Sequence, residues 1–437
     1  MGHITAKMEY EKLRAKVDRY PVGAPATETL YEILKTLYTP EEAELASQLP
    51  LKFSTLGALS RRLKIPEDQL RSRLEPLCDK GLVMDLTLGG KRRYVIVPTV
   101  VGFFEFSMMR RRENMDQHKL GELFHRYMLE EDAFAGQFNQ NAPTHIFRTL
   151  VHEESLPENY SEILDWERAE QQVRQAGAWS VTTCHCRHVA HHRGHDCERF
   201  PMEDACLTLG RTTEYFIRRG MARAIEMEEA LDLIARSRDA GMVHIGDNVR
   251  RQPTFICNCC SCCCEILGSY NRFPVFQNNF SSNFEAQVSL ARCTGCKKCQ
   301  TACPVDAIDM VPSERTVGKK KVKRLAVVDR DVCIGCGVCQ LACKFDSLTM
   351  APRAQRKLAP ENFVARMLTM AIEQGKLHKL MIDEDDGIAA RAANVLLGAI
   401  LRLPPTKQLL ANEIFKSRFI AALMAGTRLM APQERKI

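Results

Sequence analysis

The sequence predicts a multidomain chain of the α+β class. Helical periodicity and one β-hairpin pattern fill the first hundred residues, and helical periodicity returns after Pro352. Between these parts, from Cys184 to Cys343, lie all of the nineteen cysteines except Cys78. A chain of 437 residues has room for about two to four domains of ordinary size. We therefore divide the chain into the segments 1–110, 111–180, 181–275, 276–352 and 353–437.

The first segment, residues 1–110, has the pattern of a helix–turn–helix followed by a hairpin. Thr39-Pro-Glu-Glu42 is a capping box that opens a helix. Two short amphipathic helices are predicted at Thr55–Leu63 and Gln69–Lys80, the second of them ended by Gly81. Apolar strands on both sides of Gly89-Gly90 then form the hairpin. This order of elements resembles winged-helix domains, so we predict a winged-helix-like N-terminal domain.

The second segment and the overall composition carry less information. Residues 111–180 are charged and are predicted to form a helical connecting region. The longest apolar runs are shorter than the roughly 20 residues that a membrane helix needs, and the N-terminus lacks the apolar core of a signal peptide. We therefore expect a cytoplasmic location, in which many cysteines indicate metal or redox chemistry. The net charge of +7 is compatible with an acidic redox partner or with nucleic acid.

Eight cysteines form two copies of one ligand pattern. Cys293-x-x-Cys296-x-x-Cys299-x-x-x-Cys303 is followed by proline, and Cys333-x-x-Cys336-x-x-Cys339-x-x-x-Cys343 repeats the spacing. A tight Cys-x-x-Cys-x-x-Cys loop places three thiolates around one corner of a [4Fe–4S] cubane, while the fourth cysteine ligates the neighbouring cluster. We therefore predict two clusters with the following ligands: Cys293, Cys296, Cys299 and Cys343 for the first, and Cys333, Cys336, Cys339 and Cys303 for the second.

The same residues resemble the dicluster ferredoxins of bacteria, over about Phe276 to Pro352. Structural zinc is the alternative for these cysteines, but zinc sites favour paired Cys-x-x-Cys knuckles separated by a longer loop. The second run departs from the family pattern because Lys344 stands where proline is usual. A basic stretch, Lys319–Arg324, lies between the runs and is predicted to form a hairpin. It is either a solvated turn or a docking site for an acidic partner.

Four further cysteines upstream are close together in the sequence. Cys184, Cys186, Cys197 and Cys206 would saturate one more cubane, or alternatively bind zinc. Histidines follow the first pair at helical spacing, but Arg193 and Gly194 argue against a stable helix there. We predict that these histidines lie near a metal centre without ligating it. They are His188, His191, His192 and His195.

The stretch Cys257-Asn-Cys-Cys-Ser-Cys-Cys-Cys264 is unusually dense in thiols. Free thiols at this density would be prone to oxidation, so metal binding is the better interpretation. In an extended segment, the side chains would alternate between two faces. One face would carry Cys257, Cys259 and Cys263, and the other Cys260, Cys262 and Cys264. The segment could bind a fourth cluster with an outside ligand, share ligands with the Cys184–Cys206 group, or bind one cluster with two spare thiols.

The arrangement as a whole resembles a family of multi-cluster iron–sulfur proteins from anaerobic bacteria. The features that carry this resemblance are the Cys184–Cys206 group, a helix that ends at Gly241, the sequence Met242-Val-His244 and the Cys257–Cys264 stretch. In that family a winged-helix segment precedes the cysteine regions and a dicluster ferredoxin follows. The resemblance implies electron transfer beside a larger redox enzyme.

We therefore predict a protein that relays single electrons between a low-potential donor and a partner oxidoreductase, with three or four clusters in total. No glycine loop of the nucleotide-binding type is present, which leaves substrate chemistry to the partner. One alternative is a redox-sensing transcriptional regulator that binds DNA through Arg71, Arg73 and the basic stretch Lys91–Arg93. Another is a catalyst with a special cluster at Cys257–Cys264. The C-terminal residues 353–437 are predicted to be helical, with a break at Leu403-Pro-Pro405.

Overall fold

The computed structural model describes residues 8–138, 144–156, 165–273, 282–317, 320–411 and 413–429. The chain divides into two compact units. The first unit consists of Met1–Thr144, Glu214–Met221 and Pro360–Ile437, and the second of His145–Thr213 and Ala222–Ala359. In the described ranges we find no helix with the length and apolar character needed to cross a bilayer.

The first unit begins with helices and a small antiparallel sheet. The helices are Met8–Val17, Glu28–Leu37, Pro40–Ser47, Leu56–Leu63 and Glu67–Lys80. The strands are β1 (Ser54–Thr55), β2 (Val83–Leu88) and β3 (Lys91–Ile96), in the order β1-β3-β2. The predicted capping box is confirmed, because the Thr39 hydroxyl accepts from the Glu42 amide and the Glu42 carboxylate accepts from the Thr39 amide.

The predicted hairpin is also confirmed. Strands β2 and β3 are antiparallel, and the last residue pair before the turn is Leu88 with Lys91. Both residues of the connecting Gly89-Gly90 turn have positive φ angles, 59° and 69°. Such a turn matches the twist of the two strands and favours glycine at both positions. The helix–helix–hairpin order of the sequence is therefore present, and its assignment to the winged-helix fold stays a prediction.

Further helices complete the first unit. They are Phe104–Met108, Gln117–His125, Asp132–Phe138, Phe363–Glu373, Leu377–Met381, Ile388–Arg402, Pro404–Ala411 and Glu413–Leu429, with Thr212–Arg218 partly included. The C-terminal part is joined to the N-terminal helices by Asp383, whose carboxylate lies 3.1 Å from both Lys16 Nζ and Arg19 Nη1. Arg62 Nη2 lies 2.9 Å from the same carboxylate.

The second unit is built on a six-stranded antiparallel sheet. Its strands are β4 (Phe147–Leu150), β5 (Trp179–Thr182), β6 (Cys206–Leu209), β7 (Ala222–Ile225), β8 (Val243–Asp247) and β9 (Phe255–Cys259). Their order is β4-β8-β9-β6-β5-β7. The sheet reaches beyond the predicted cysteine-rich segment 181–275, because β4 and half of β5 come from the region that was expected only to connect domains.

Helices pack on this sheet around a buried core. They are Ala169–Gln175, His185–His192, Met227–Asp239 and Glu265–Arg272. The predicted amphipathic helix before Gly241 is confirmed, and it buries Ala230, Leu233 and Ile234. The core of the sheet also contains cysteines, among them Cys184, Cys206, Cys260 and Cys263.

The C-terminal part of the second unit contains two antiparallel strand pairs and two short helices. Strands β10 (Phe284–Val288) and β13 (Leu348–Pro352) pair with each other, as do β11 (Ile308–Val317) and β12 (Lys320–Val328). The helices are Lys298–Ala302 and Val338–Leu341. The predicted basic hairpin is confirmed as the β11–β12 pair, although residues 318 and 319 at its tip lie outside the described ranges.

Candidate metal centres

Four of the predicted ligands line one cavity. Its wall includes Cys303 from the first run and Cys333, Cys336 and Cys339 from the second, together with apolar side chains such as Ile308. This is the set that the spacing predicts for the second cluster. Burial raises the pKa of Cys336 and Cys339, so each thiolate is unfavourable in this apolar wall unless a cation compensates it. The donors and their surroundings fit a [4Fe–4S] cluster.

The backbone of the binding loop is held close to its neighbours. Gly335, between Cys333 and Cys336, has φ +69°, and a Cβ atom at this position would overlap the carbonyl oxygen of Phe284. Both the left-handed conformation and the close approach require glycine. The loop can therefore wrap around a cluster only because this position carries no side chain.

The predicted ligands of the first cluster are Cys293, Cys296, Cys299 and Cys343, and contacts join the first three of them. Burial raises the pKa of Cys299, and the charges of the nearby Cys293 and Cys296 raise it further. Cys343 lies 3.1 Å from the Ser347 hydroxyl, and the pKa of Cys343 is lowered because hydrogen bonds from Ser347 and from backbone amides outweigh its burial. Hydrogen bonds of this kind favour the thiolate form that ligates iron.

Upstream, six cysteine side chains form a closed ring of hydrogen-bond contacts, which we call the six-cysteine ring. Each member contacts its two neighbours in the order Cys184, Cys186, Cys264, Cys259, Cys257, Cys206 and back to Cys184. Hydrogen bonds accepted from their neighbours lower the pKa of Cys184, Cys257 and Cys264. The three that donate have raised pKa values. None of these thiols forms a disulfide.

The remaining four upstream cysteines form a second set, the four-cysteine group. Its sulfur atoms all lie within 4.8 Å of one another, and its members are Cys197, Cys260, Cys262 and Cys263. Cys262 Sγ lies 3.6 Å from Cys197 Sγ and 3.4 Å from Cys263 Sγ. Four sulfur ligands fit either one cubane or one tetrahedral zinc ion.

These contacts agree with one of the alternatives that the sequence left open, in which the Cys257–Cys264 stretch shares ligands with the Cys184–Cys206 group. They differ from the simplest grouping, in which Cys184, Cys186, Cys197 and Cys206 share one metal, because Cys197 lies with the turn after β9. The physical reason is that β9 pairs with β6, with Ile256 opposite Leu207, which places the end of the Cys257–Cys264 stretch near the loop that carries Cys197. The alternation expected for an extended segment applies only up to Cys259, where the strand ends. Beyond it, Cys263 lies in the four-cysteine group and Cys264 in the six-cysteine ring, the reverse of what alternation would give.

One buried arginine lies between the two upstream sets. Arg187 is only 2% exposed, and its Nη2 donates to the carbonyl oxygen of Asn258 at 3.0 Å. Burial lowers the pKa of Arg187, but the charges of Cys184 and Cys260 and a hydrogen bond to Cys197 raise it overall. This permanent positive charge compensates the negative charge that a thiolate-bound metal centre carries.

The predicted histidines have separate positions. The segment His185–His192 is a helix, so the expectation that Arg193 and Gly194 would prevent one was wrong; these residues end the helix instead, with Gly194 at φ +75°. His188 Nε2 lies 3.2 Å from His192 Nε2, and His191 Nδ1 lies 2.7 Å from the Asp196 carboxylate. One buried contact had no signal in the sequence: His185 Nε2 lies 2.8 Å from the Glu265 carboxylate, beside Cys186.

Comparison with known proteins supports one part of the chain. A family model described as a 4Fe-4S dicluster domain matches residues 292–347. We call these residues the dicluster domain. No curated protein matches the chain, and no solved structure matches it. The match implies two [4Fe–4S] clusters and suggests electron transfer, and it contains all eight cysteines of the repeated pattern. Residues 292–347 of this chain are thus a 4Fe-4S dicluster domain.

Proposed function

We propose that the chain is a multi-cluster iron–sulfur electron-transfer protein or subunit, which relays single electrons between a low-potential donor and a partner oxidoreductase. The observation that carries the proposal is the direct packing of the dicluster domain on the cysteine-bearing sheet within the second unit. The backbone amide of His152, just after β4, donates to the carbonyl oxygen of the ligand Cys336 at 3.0 Å. Two series of contacts lead from the dicluster domain to the six-cysteine ring.

The first series passes through buried side chains. The imidazole ring of His152 lies 4.7 Å from that of His244, and His244 Nε2 lies 3.0 Å from the Ser237 hydroxyl. Ser237 Oγ in turn donates to Asn258 Oδ1 at 3.0 Å, and Asn258 stands between Cys257 and Cys259. Burial lowers the pKa of His152 to about 4 and that of His244 well below its ordinary value, so both imidazoles are uncharged at neutral pH.

The second series follows one helix. The helix Glu265–Arg272 begins directly after Cys264, and its Tyr270 donates a hydrogen bond of 2.6 Å to the carbonyl oxygen of Val332, next to the ligand Cys333. At 1.5 Å per residue, Cys264 and Tyr270 are separated by about 9 Å along the helix axis. The short separation supports electron transfer between a centre at the six-cysteine ring and the second cluster of the dicluster domain.

The basic hairpin offers a place for a redox partner to dock. A Cβ atom on Gly295, in the loop of the first cluster, would overlap the carbonyl oxygen of Arg324 on β12. The hairpin therefore touches the first binding loop, and it exposes Lys321, Lys323 and Arg324. Exposed positive charge at this edge would steer an acidic partner towards the first cluster.

The test uses the full-length protein purified without oxygen. Iron and acid-labile sulfide are counted, and the protein is then mixed with a reduced acidic ferredoxin and sampled by rapid freezing for EPR. We expect more than about eight irons per chain and reduction of the dicluster domain before the upstream centres. About eight irons with free upstream thiols, or upstream reduction that precedes the dicluster domain, would contradict the proposal.

Charge reversal on the basic β11–β12 hairpin tests whether an acidic donor docks there. The double substitution Lys321→Glu, Lys323→Glu reverses the charge of the hairpin and is expected to slow reduction by the acidic donor, most strongly at low salt. Lys52→Glu reverses one exposed charge in the first unit and serves as the control. Equal rates for the hairpin variant and the control would remove the hairpin from the docking proposal.

A redox-sensing DNA-binding regulator is the second candidate. It is favoured by the helix–helix–hairpin order in the first unit, where Arg71 and Arg73 are exposed on the helix Glu67–Lys80. Part of the positive charge on the β2–β3 hairpin of the first unit is compensated, because Arg92 lies 3.5 Å from Asp85 and 3.7 Å from Glu75. A salt-dependent mobility shift of duplex DNA would support this function, and no shift at low salt would contradict it.

A further inference from the structure

The six-cysteine ring is assembled from two similar halves. Cys184 and Cys264 each follow a strand of the sheet and directly precede a helix of eight residues, with nearly equal backbone angles of −70°/115° and −69°/116°. The first residues of the two helices, His185 and Glu265, meet at 2.8 Å. Cys184, Cys186 and Cys206 come from the β5–β6 side, and Cys257, Cys259 and Cys264 from the β9 side.

The two halves therefore supply three sulfur ligands each. Thr182 at the end of β5 is paired with Cys206, and Val243 on β8 is paired with Cys259. The strands that carry the ligands are thus fixed by their neighbours in the sheet. Within the ring each half contacts the other twice, through Cys186 with Cys264 and through Cys206 with Cys257.

Six thiolates exceed what one cubane can use. Each iron of a cubane binds three sulfides and one further ligand, so four thiolates saturate it and two would remain without a metal. Two cubanes with three thiolates each would leave one iron open on each of them. A single sulfide that bridges these two irons completes the coordination of both. Six thiolates and one bridging sulfide therefore bind two cubanes, about eight irons in total.

We propose that the six-cysteine ring binds one iron–sulfur cluster of more than four irons, formed by two joined cubanes, each held by one half of the ring. The ring arrangement supports this because each of the six side chains contacts two others, so that one closed series of contacts joins all six and none stands apart as a spare thiol. Arg187 adds a buried positive charge beside Cys184, which offsets the larger negative charge of six thiolates. The role of this centre in electron transfer rests on the proposed function; its size does not.

The experiment counts metal by native mass spectrometry of the full-length protein kept free of oxygen. We expect about twenty irons: eight in the dicluster domain, four at the four-cysteine group and eight at the ring. The double substitution Cys206→Ala, Cys257→Ala removes one ligand from each half and is expected to lose about eight irons. Cys197→Ser, in the four-cysteine group, is expected to lose about four, and Cys78→Ser, outside both sets, none.

Several results would overturn the proposal. A loss of only about four irons from the ring variant would mean an ordinary cubane with two spare thiols, and two zinc ions without acid-labile sulfide would mean a zinc–thiolate site. The EPR signals of the dicluster domain show whether the ring variant is folded. If it is not, the iron and zinc totals and the Mössbauer spectrum of the unmodified protein decide, since about sixteen irons without bound zinc would also overturn the proposal. A correct iron count without electron transfer would instead contradict only the proposed function.

Discussion

Removing the positive charge of Arg187 is expected to lower the reduction potential of the upstream centres. Its guanidinium is hydrogen-bonded to Cys197, which places the charge about 6 Å from a metal ion on that sulfur. With an effective dielectric constant of about 20, one charge at this distance stabilises an added electron by about 2.8 kcal/mol. For a one-electron step this free energy corresponds to about 120 mV.

The substitution for this test is Arg187→Gln, and the assay is a potentiometric titration followed by EPR. We expect the upstream potentials to fall by about 100 mV and those of the dicluster domain to stay within about 20 mV. Arg187→Lys keeps the charge, and Arg199→Gln removes an exposed one; both are expected to change the potentials little. An unchanged or raised upstream potential in Arg187→Gln, or an equal fall in Arg187→Lys, would refute the electrostatic reasoning.

Three other perturbations have clear expected outcomes. Gly335→Ala forces a side chain into the Phe284 carbonyl and should release the second cluster, a loss of about four irons by chemical analysis. Asp383→Asn should lower the unfolding free energy of the first unit by about 3 kcal/mol in denaturant titrations, because the buried Lys16 loses its ion pair with this carboxylate. The pKa of Asp383 is lowered, since nearby cations outweigh its burial, so this stabilisation is present above about pH 4 and is lost as the pH falls through the lower native value. Ser237→Ala removes the hydroxyl between two buried side chains, should cost about 1 kcal/mol and should slow upstream reduction in rapid-freeze EPR without loss of iron.

Each of these substitutions has a matched control. Gly177→Ala has the same left-handed strain, φ +75°, but no atom within 4 Å, so it should keep its iron. Asp232→Asn breaks an exposed pair with Arg236 and should cost less than about 1 kcal/mol. Ser72→Ala removes an exposed helical hydroxyl and should leave the transfer rate unchanged. Iron loss in Gly177→Ala, or an unchanged rate in Ser237→Ala, would show that the corresponding reasoning is wrong.

Patterns within one short segment were predictable from the sequence. The spacing of the cysteines from Cys293 to Cys343 indicated the dicluster domain, because the geometry of a cubane fixes that spacing locally. The capping box at Thr39 and the turn at Gly89-Gly90 were predictable for the same reason, since each depends on neighbouring residues only. These predictions required no knowledge of how distant segments meet.

The grouping of the upstream cysteines was not predictable in this way. Cys197 is near Cys206 in the sequence, yet the sheet brings it to the turn after β9. The order of the six strands decides which thiols meet, and strand order is a long-range property that spacing does not encode. The contact of His152 with Cys336 is of the same kind, because it joins residues that are far apart in the chain.

The eight residues from Cys257 to Cys264 contribute ligands to both the six-cysteine ring and the four-cysteine group. Metal binding and local folding are coupled, so filling one set fixes the backbone that the other set needs. We therefore expect each centre to load faster once the other is in place, while a chain that lacks ligands of one centre still loads the other, more slowly. The same coupling implies that oxygen damage which begins at the exposed Cys262 loosens the backbone of the buried ring and makes the metal there easier to remove.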